Sequence, residues 1–384
     1  MAQSAQSSPK RQRTRLALFG VTGYTGLELI EILLRHPQVE LTYLASRREE
    51  LPVVSDIFPR LRGRLDVRTG AIDLDAVAQS AEVAILALPH VVSKDYVPGL
   101  LQRGLTVIDL SADYRLKDPS VYERYYGEPH TDTDNLAHAV YGLPEVYGDE
   151  LPGAKLVAVP GCYPTAAILA AAPLLSTEGG QAGQSRGTRG LSPLSCSVVG
   201  EITVDAKTGI SGAGRSPSLG FHFPECNESV KPYNVGVHRH QPEMEQVLSD
   251  LAGRAVSVDF VPHMVPMDRG ILATVYLELE GEPTEEELLA RYREFYDGQP
   301  FVRVRPLGEY PATKDVAHTN FCDIGLKVLR SGEPSRDGKT TRGELSRTRV
   351  VVMSAIDNLL KGASGQAVED LNLVLDFPRT AGLL

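Results

Sequence analysis

The stretch Arg15-Leu-Ala-Leu-Phe-Gly20-Val-Thr-Gly23-Tyr-Thr-Gly26, running into Leu27-Glu-Leu-Ile-Glu-Ile-Leu-Leu34, constrains the fold more than any other part of the chain. A short apolar run enters a glycine-rich turn and leaves as apolar residues at helical spacing, which is strand, turn, helix. A turn of this kind brings a phosphate to a helix N-terminus, where unpaired N–H groups and the macrodipole stabilise negative charge. The glycines fall as GxxGxxG rather than the commoner GxGxxG, so the motif takes its meaning from its surroundings. Those repeat the theme: Val39 to Ala45, Ala81 to Leu88, Leu105 to Leu110 and the run from Leu156 read as strands separated by helical segments. The prediction is an α/β domain with a doubly wound, mostly parallel Rossmann-type sheet, its ligands gathered at the carboxyl ends of the strands.

The second strand ends at Ser46-Arg47-Arg48 rather than at an acidic residue. An acid there would take the ribose 2′-hydroxyl of NAD, whereas basic residues accommodate the 2′-phosphate, so NADP is the predicted cofactor. After the fourth strand comes Ser111-Ala-Asp113-Tyr-Arg115, where Arg115 is either an anion clamp or the partner of a nearby aspartate. Lys117 to Asp149 reads as a long irregular connection. Leu156-Val-Ala-Val-Pro-Gly-Cys162-Tyr-Pro-Thr165 then leads into the alanine-rich run to Ala172, placing Cys162 at a helix N-terminus with Pro164 in the first turn. A thiol so placed is predicted to titrate below the roughly 8.5 of free cysteine and to serve as a nucleophile.

At 384 residues, 42% hydrophobic and 23% charged, the chain is expected to hold two soluble domains, and no apolar run of 18 residues suggests a membrane span. A formal net charge of -10 argues against a nucleic-acid surface. Four dispersed cysteines form no CxxC pair, which favours a reducing, cytoplasmic setting over a disulfide framework. The basic, Ser- and Gln-rich start is read as a solvated tail.

The second half brings Ile202 to Ala206 as a strand, the glycine-rich loop Lys207 to Arg215, and His238-Arg-His240-Gln-Pro-Glu243 ahead of a helix from Met244 to Leu251. His240 and Glu243 stand three apart at the helix start, close enough for the carboxylate to orient the imidazole. A zinc site built on His238 and His240 is a weaker reading, because no third ligand has suitable spacing. Val256 to Val261, Ile271 to Leu279 and Phe301 to Arg305 read as strands and Thr284 to Tyr296 as a helix opened by a capping box. The predicted organisation is a tail over 1–14, an NADP-binding domain over 15–160, an α+β catalytic and oligomerisation domain with a largely antiparallel sheet over 161–349, and a C-terminal helix over 350–384 returning to the first domain. Polar insertions fall near 176–193 and 330–347.

Taken together, Gly20-Val-Thr-Gly-Tyr-Thr-Gly26, Gly161-Cys-Tyr-Pro-Thr165, Asp205 to Arg215, His238-Arg-His-Gln-Pro-Glu243 and Asp357-Asn-Leu-Leu-Lys-Gly-Ala-Ser-Gly-Gln366 resemble the N-acetyl-gamma-glutamyl-phosphate reductase family, in the wider aspartate-semialdehyde dehydrogenase superfamily. Val316-Ala-His318-Thr-Asn320 departs from the small residues usual in that family before Thr-Asn. The resemblance implies NADP-linked reductive dephosphorylation of an N-acetyl-glutamyl 5-phosphate through a thioester on Cys162, by a homodimer or homotetramer. It implies His240, supported by Glu243, as acid/base, with His238 competing, and Arg115 and Arg215 as clamps for phosphate or carboxylate. Gly20, Thr22, Gly23, Tyr24, Thr25 and Gly26 would hold the pyrophosphate, Ser46 and Arg47 the 2′-phosphate, and Asn358 would lie near the nicotinamide. A sister reductase for an aminoadipyl acyl phosphate and a non-catalytic NADP-binding regulator share most of these features.

Overall fold

The computed structural model describes residues 13–176, 196–329 and 347–384. The tail and the two polar stretches near 176–193 and 330–347 lie almost wholly outside the described residues. Six strands, β1 (Thr14–Phe19), β2 (Val39–Ala45), β3 (Val83–Leu86), β4 (Thr106–Asp109), β5 (Val140–Tyr141) and β6 (Leu156–Ala158), form a parallel sheet in the order β2-β1-β3-β4-β6-β5. Every residue of β3, β4 and β6 is buried, which is why these strands read as unbroken apolar runs. From β1 the chain crosses to β2 on one side and then to β3 on the other. The carboxyl ends of β1 and β3 therefore flank a crevice at a topological switch point. Gly20, with φ +78°, makes that crevice possible: a Cβ there would stand 2.1 Å from the carbonyl oxygen of Ala87.

Seven further strands form the second sheet: β7 (Ser197–Thr208), β8 (Lys231–Pro232), β9 (Val258–Met264), β10 (Ile271–Glu280), β11 (Val302–Val304), β12 (Cys322–Leu329) and β13 (Arg347–Ile356), in the order β11-β12-β13-β10-β7-β9-β8. The pairings β11 with β12 and β7 with β9 are parallel and the rest antiparallel, a mixed but mostly antiparallel sheet. The helices Cys162–Leu175, Gln241–Ala252 and Glu285–Phe295 pack on it, the last opened by the Thr284/Glu287 capping box.

Two expectations about local structure need correction. Residues 350–356, expected in a terminal helix, belong to β13, whose Val350-Val-Val352 run suits a pleated surface and which pairs with β10 from Arg347 to Ile356. The terminal helix is Gly365–Val374, packed against the Tyr24–Arg35 helix of the first domain. The supposed irregular connection contains a helix, Pro119–Tyr126, capped by Asp118 and ended by Gly127 at φ +78°, followed by β5. Asp-Pro at its start and glycine at its end were its readable signal. His318, in the segment that departs from the family pattern, holds a left-handed backbone with φ 60° and donates its N–H to Asp357 Oδ2 at 2.7 Å. A smaller residue such as glycine adopts that conformation with less strain.

Candidate active site

The switch-point crevice opens into a cleft of about 1190 Å³, bordered by the glycine turn Gly20–Gly26, by Ser46–Arg48, by Pro160–Cys162 and His240, and by Ser211–Arg215 and Asn358 of the second domain. Its walls come from the ends of β1, β2, β3 and β6 and from loops of the other sheet. Gly23 is the N-cap of the Tyr24–Arg35 helix and no side chain caps it, so first-turn amides are left to a ligand. Gly26 has no room for a side chain, since a Cβ would meet the Gly20 carbonyl oxygen at 2.5 Å. Ser46 is buried and accepts from the Arg48 N–H at 3.1 Å, which folds the basic loop so that the exposed Arg47 and Arg48 border the cleft. These features fit a dinucleotide carrying a 2′-phosphate.

Cys162 opens the helix Cys162–Leu175, again with no side-chain cap. Its thiol does not follow the expectation of a depressed pKa. Cys162 is half-buried at the cleft wall, and loss of solvent there pushes the thiol up to about 11, outweighing the Arg115 charge and the amides of Tyr163 and Cys162 that favour the thiolate. The expected His240–Glu243 pair is also corrected. The Glu243 carboxylate accepts from the Gly161 N–H at 2.8 Å, the Tyr141 hydroxyl at 2.7 Å and the Arg115 guanidinium at 3.4 Å, and so braces the turn that carries Cys162. The helix start sends Glu243 under that turn while His240 lies over it: a Cβ on Gly161 would stand 2.5 Å from His240 Nε2.

The two histidines separate. His240 borders the cleft, and its buried Nδ1 has no hydrogen-bond partner. Burial and the neighbouring His238, Arg115 and His90 hold it well below the ordinary imidazole range, so it is neutral. His238 accepts the His240 N–H on Nδ1 at 3.1 Å and sits edge-on among Tyr163, Tyr233 and Phe260, a packing role. Among the described residues no three His, Cys, Asp or Glu side chains converge as a metal site, so the zinc reading has no ligand set there.

The arginines are corrected as well. Arg115 is buried and committed: its Nε donates to the Val159 carbonyl at 2.7 Å, Nη2 to the Leu110 carbonyl at 2.8 Å, and Nη1 faces Glu243. It braces β4 against β6, and it borders the cleft beside Cys162 with its hydrogen bonds already spent on the protein. Arg215 lies over the Phe58 ring at 4.8 Å and donates to the Thr22 carbonyl at 3.2 Å, which places it at the glycine turn, on the cofactor side. Asn358 borders the cleft, its Oδ1 accepting from the Gly270 N–H at 2.7 Å and its Nδ2 donating to Ser211 Oγ at 3.0 Å. Sequence reasoning passed over His90, which borders the cleft directly after β3; its position at a strand's carboxyl end was the available signal.

Two family models match the chain: the semialdehyde dehydrogenase NAD binding domain over residues 15–154 and the semialdehyde dehydrogenase dimerisation domain over residues 162–336. The chain is 47% identical to an N-acetyl-gamma-glutamyl-phosphate reductase of Symbiobacterium thermophilum, over 96% of this chain and 97% of that one. It is 46% identical to one of Desulforudis audaxviator, over 96% and 98%. Among solved structures, the fold is shared with aspartate semialdehyde dehydrogenase II of Vibrio cholerae (TM-score 0.63, 16% identity, covering 94% of this chain and 98% of that one). It is shared equally with the aspartate semialdehyde dehydrogenase of Candida albicans solved with NADP (TM-score 0.63, 13% identity, 94% and 98%). Among the described residues no helix is long and apolar enough to cross a membrane.

Proposed function

The chain belongs to the N-acetyl-gamma-glutamyl-phosphate reductase family, and we propose that it reduces N-acetyl-glutamyl 5-phosphate to N-acetyl-glutamate 5-semialdehyde and phosphate with NADPH, in arginine biosynthesis. The observation that carries this reading is the single cleft that holds an uncapped glycine turn at one end and Cys162 with His240 at the other. Acyl transfer needs a nucleophile, a base for its proton and positive potential for the charge that develops.

Cys162 rests as a thiol at neutral pH, and neutral His240 takes its proton as the sulfur attacks the acyl-phosphate carbonyl. The C–S bond forms, the carbonyl–phosphate bond breaks, and the helix amides at Cys162 and Tyr163 offset the negative charge. The chemistry left to NADPH, when bound in the cleft, would be hydride donation to the resulting thioester. His240 returns its proton as the hemithioacetal yields aldehyde and free thiol. Glu243 and Arg115 hold the Gly161–Cys162 turn in place throughout. Gly20, Thr22, Gly23, Tyr24, Thr25 and Gly26 would hold the pyrophosphate and Ser46 and Arg47 the 2′-phosphate, while Asn358, bonded to Ser211, would border the nicotinamide side. The protein works as a cytoplasmic homo-oligomer joined through the second domain.

Stopped-flow mixing of enzyme with acyl phosphate and no NADPH should release one phosphate per Cys162 and leave a thioester. Absence of that burst, or a Cys162→Ser variant that keeps most of the rate, removes the covalent route. Assays of the glutamyl and aminoadipyl semialdehydes side by side decide the chain length.

A further inference from the structure

Arg115 spends its guanidinium on Glu243 and two backbone carbonyls, and the exposed Arg215 sits at the glycine turn on the cofactor side, so neither is a free receiver for the substrate's own negative charge at the Cys162 end. We propose that His90, Tyr126 and Arg239 form the corner that binds the α-carboxylate of the acyl-phosphate substrate; this rests on the reductase reading and deepens it. Arg239, between the two histidines in sequence, is exposed, and among the described residues it has no hydrogen bond or ion pair. Its guanidinium lies over the Tyr126 ring at 5.0 Å, with the planar fork free. His90 stands edge-on to the same ring, 5.8 Å between centroids. One tyrosine of the first domain thus has a cation of the second domain on it and a histidine of the first beside it.

The state of His90 follows from its partner. Its Nδ1 accepts the Ala112 N–H at 3.1 Å, so the ring proton sits on Nε2 and that N–H has no protein partner among the described residues. The side chain keeps solvent access at the cleft rim; partial loss of solvent around the ring, then the Arg115 and Arg239 charges, lower its pKa, so at neutral pH it is a neutral donor. The corner is held before any ligand arrives. Asp113 accepts from the Val91 N–H at 2.7 Å and the Tyr122 hydroxyl at 3.0 Å, and Tyr122 stacks on Tyr126 at 4.8 Å. Val91, beside His90, has φ 69°, a conformation a β-branched residue avoids unless the surroundings impose it, and such strain gathers at ligand sites. A guanidinium fork with a neutral N–H donor suits a planar carboxylate. Arg47 and Arg215 lie at the opposite, glycine-turn end, so the cofactor phosphates have receivers of their own.

The test runs the reaction from aldehyde, NADP and phosphate. It compares N-acetyl-glutamate 5-semialdehyde with its α-carboxamide for the wild type, Arg239→Ala, Arg239→Lys and His90→Asn. Arg239→Ala should raise KM for the carboxylate on the order of 30-fold, the loss of a charge-assisted pair. It should change the carboxamide kinetics far less, and leave the phosphate KM and the NADP Kd as in the wild type. Arg239→Lys should recover part of the loss. His90→Asn keeps an acceptor for Ala112 while removing the Nε2 donor, and should give a smaller rise with the same discrimination. A loss that falls on the phosphate KM assigns the corner to the leaving group and overturns the proposal; equal losses on both aldehydes, or none, overturn it too. An inactive wild type removes the reductase reading itself, whereas an active wild type indistinguishable from Arg239→Ala removes only the carboxylate corner.

Discussion

Gly161 owes its identity to the imidazole above it. Because a Cβ would lie 2.5 Å from His240 Nε2, Gly161→Ala must displace the base. Displacements of that size cost catalysis heavily, so kcat should fall about 100-fold with NADP affinity unchanged in a fluorescence titration. The thiol makes a second prediction. With Cys162 pushed up to about 11, alkylation of the free enzyme by iodoacetamide should keep accelerating between pH 7 and pH 10, as the thiolate fraction grows with each unit. A rate already flat at pH 7 would show a thiolate preformed by the helix. Glu243 binds the Gly161 amide, the Tyr141 hydroxyl and Arg115 at once, so Glu243→Ala strands a buried guanidinium and should cost about 3–5 kcal/mol in urea denaturation.

The helix from Cys162 to Leu175 carries the nucleophile and is the most enclosed element of the second domain: every residue from Tyr163 onward is buried. Its alanines let the β10 and β13 backbones come close, and Ser354 Oγ donates to the Ala166 carbonyl at 2.7 Å. Pro173 lies inside it and has no N–H for the carbonyl of Leu169, four residues back. The Tyr296 hydroxyl donates to that carbonyl instead. Tyr296→Phe should therefore leave a buried acceptor empty and lower stability by about 1–3 kcal/mol by chemical denaturation. The site lies at the other end of the helix, so KM for NADP should not change.

The two sheets are tied together by buried charge. The Lys361 ammonium, wholly enclosed, donates to Glu145 at 2.8 Å and Glu369 at 2.7 Å, and Arg379 reaches the same two carboxylates at 2.9 and 2.6 Å. Glu145 follows β5, while Lys361 lies in the π-helical turn Leu360–Ser364, whose Gly362 leaves no room for a Cβ against that of Cys162, 2.8 Å away. Lys361→Met would leave two carboxylates to a single arginine. It should cost about 3–5 kcal/mol in a melt and lower kcat as well, because the turn that backs Cys162 loses its anchor. A variant less stable by that amount with unchanged kcat would confine the network to stability.

Residue order alone was enough for the alternation of apolar strands and helices, the glycine turn, the cysteine at a helix start and a largely antiparallel second sheet. Those depend on periodicity and turn chemistry, which are local. Which arginine is free and which is committed is not local. Arg115 is held by carbonyls of Leu110 and Val159 and by Glu243, 128 residues away, whereas Arg239 looks like one more basic residue until Tyr126 is brought beneath it. The thiol's pKa belongs to the same class. A helix N-terminus can be recognised from a few neighbouring residues, but the burial that opposes it comes from chain segments far apart in sequence, and here burial wins.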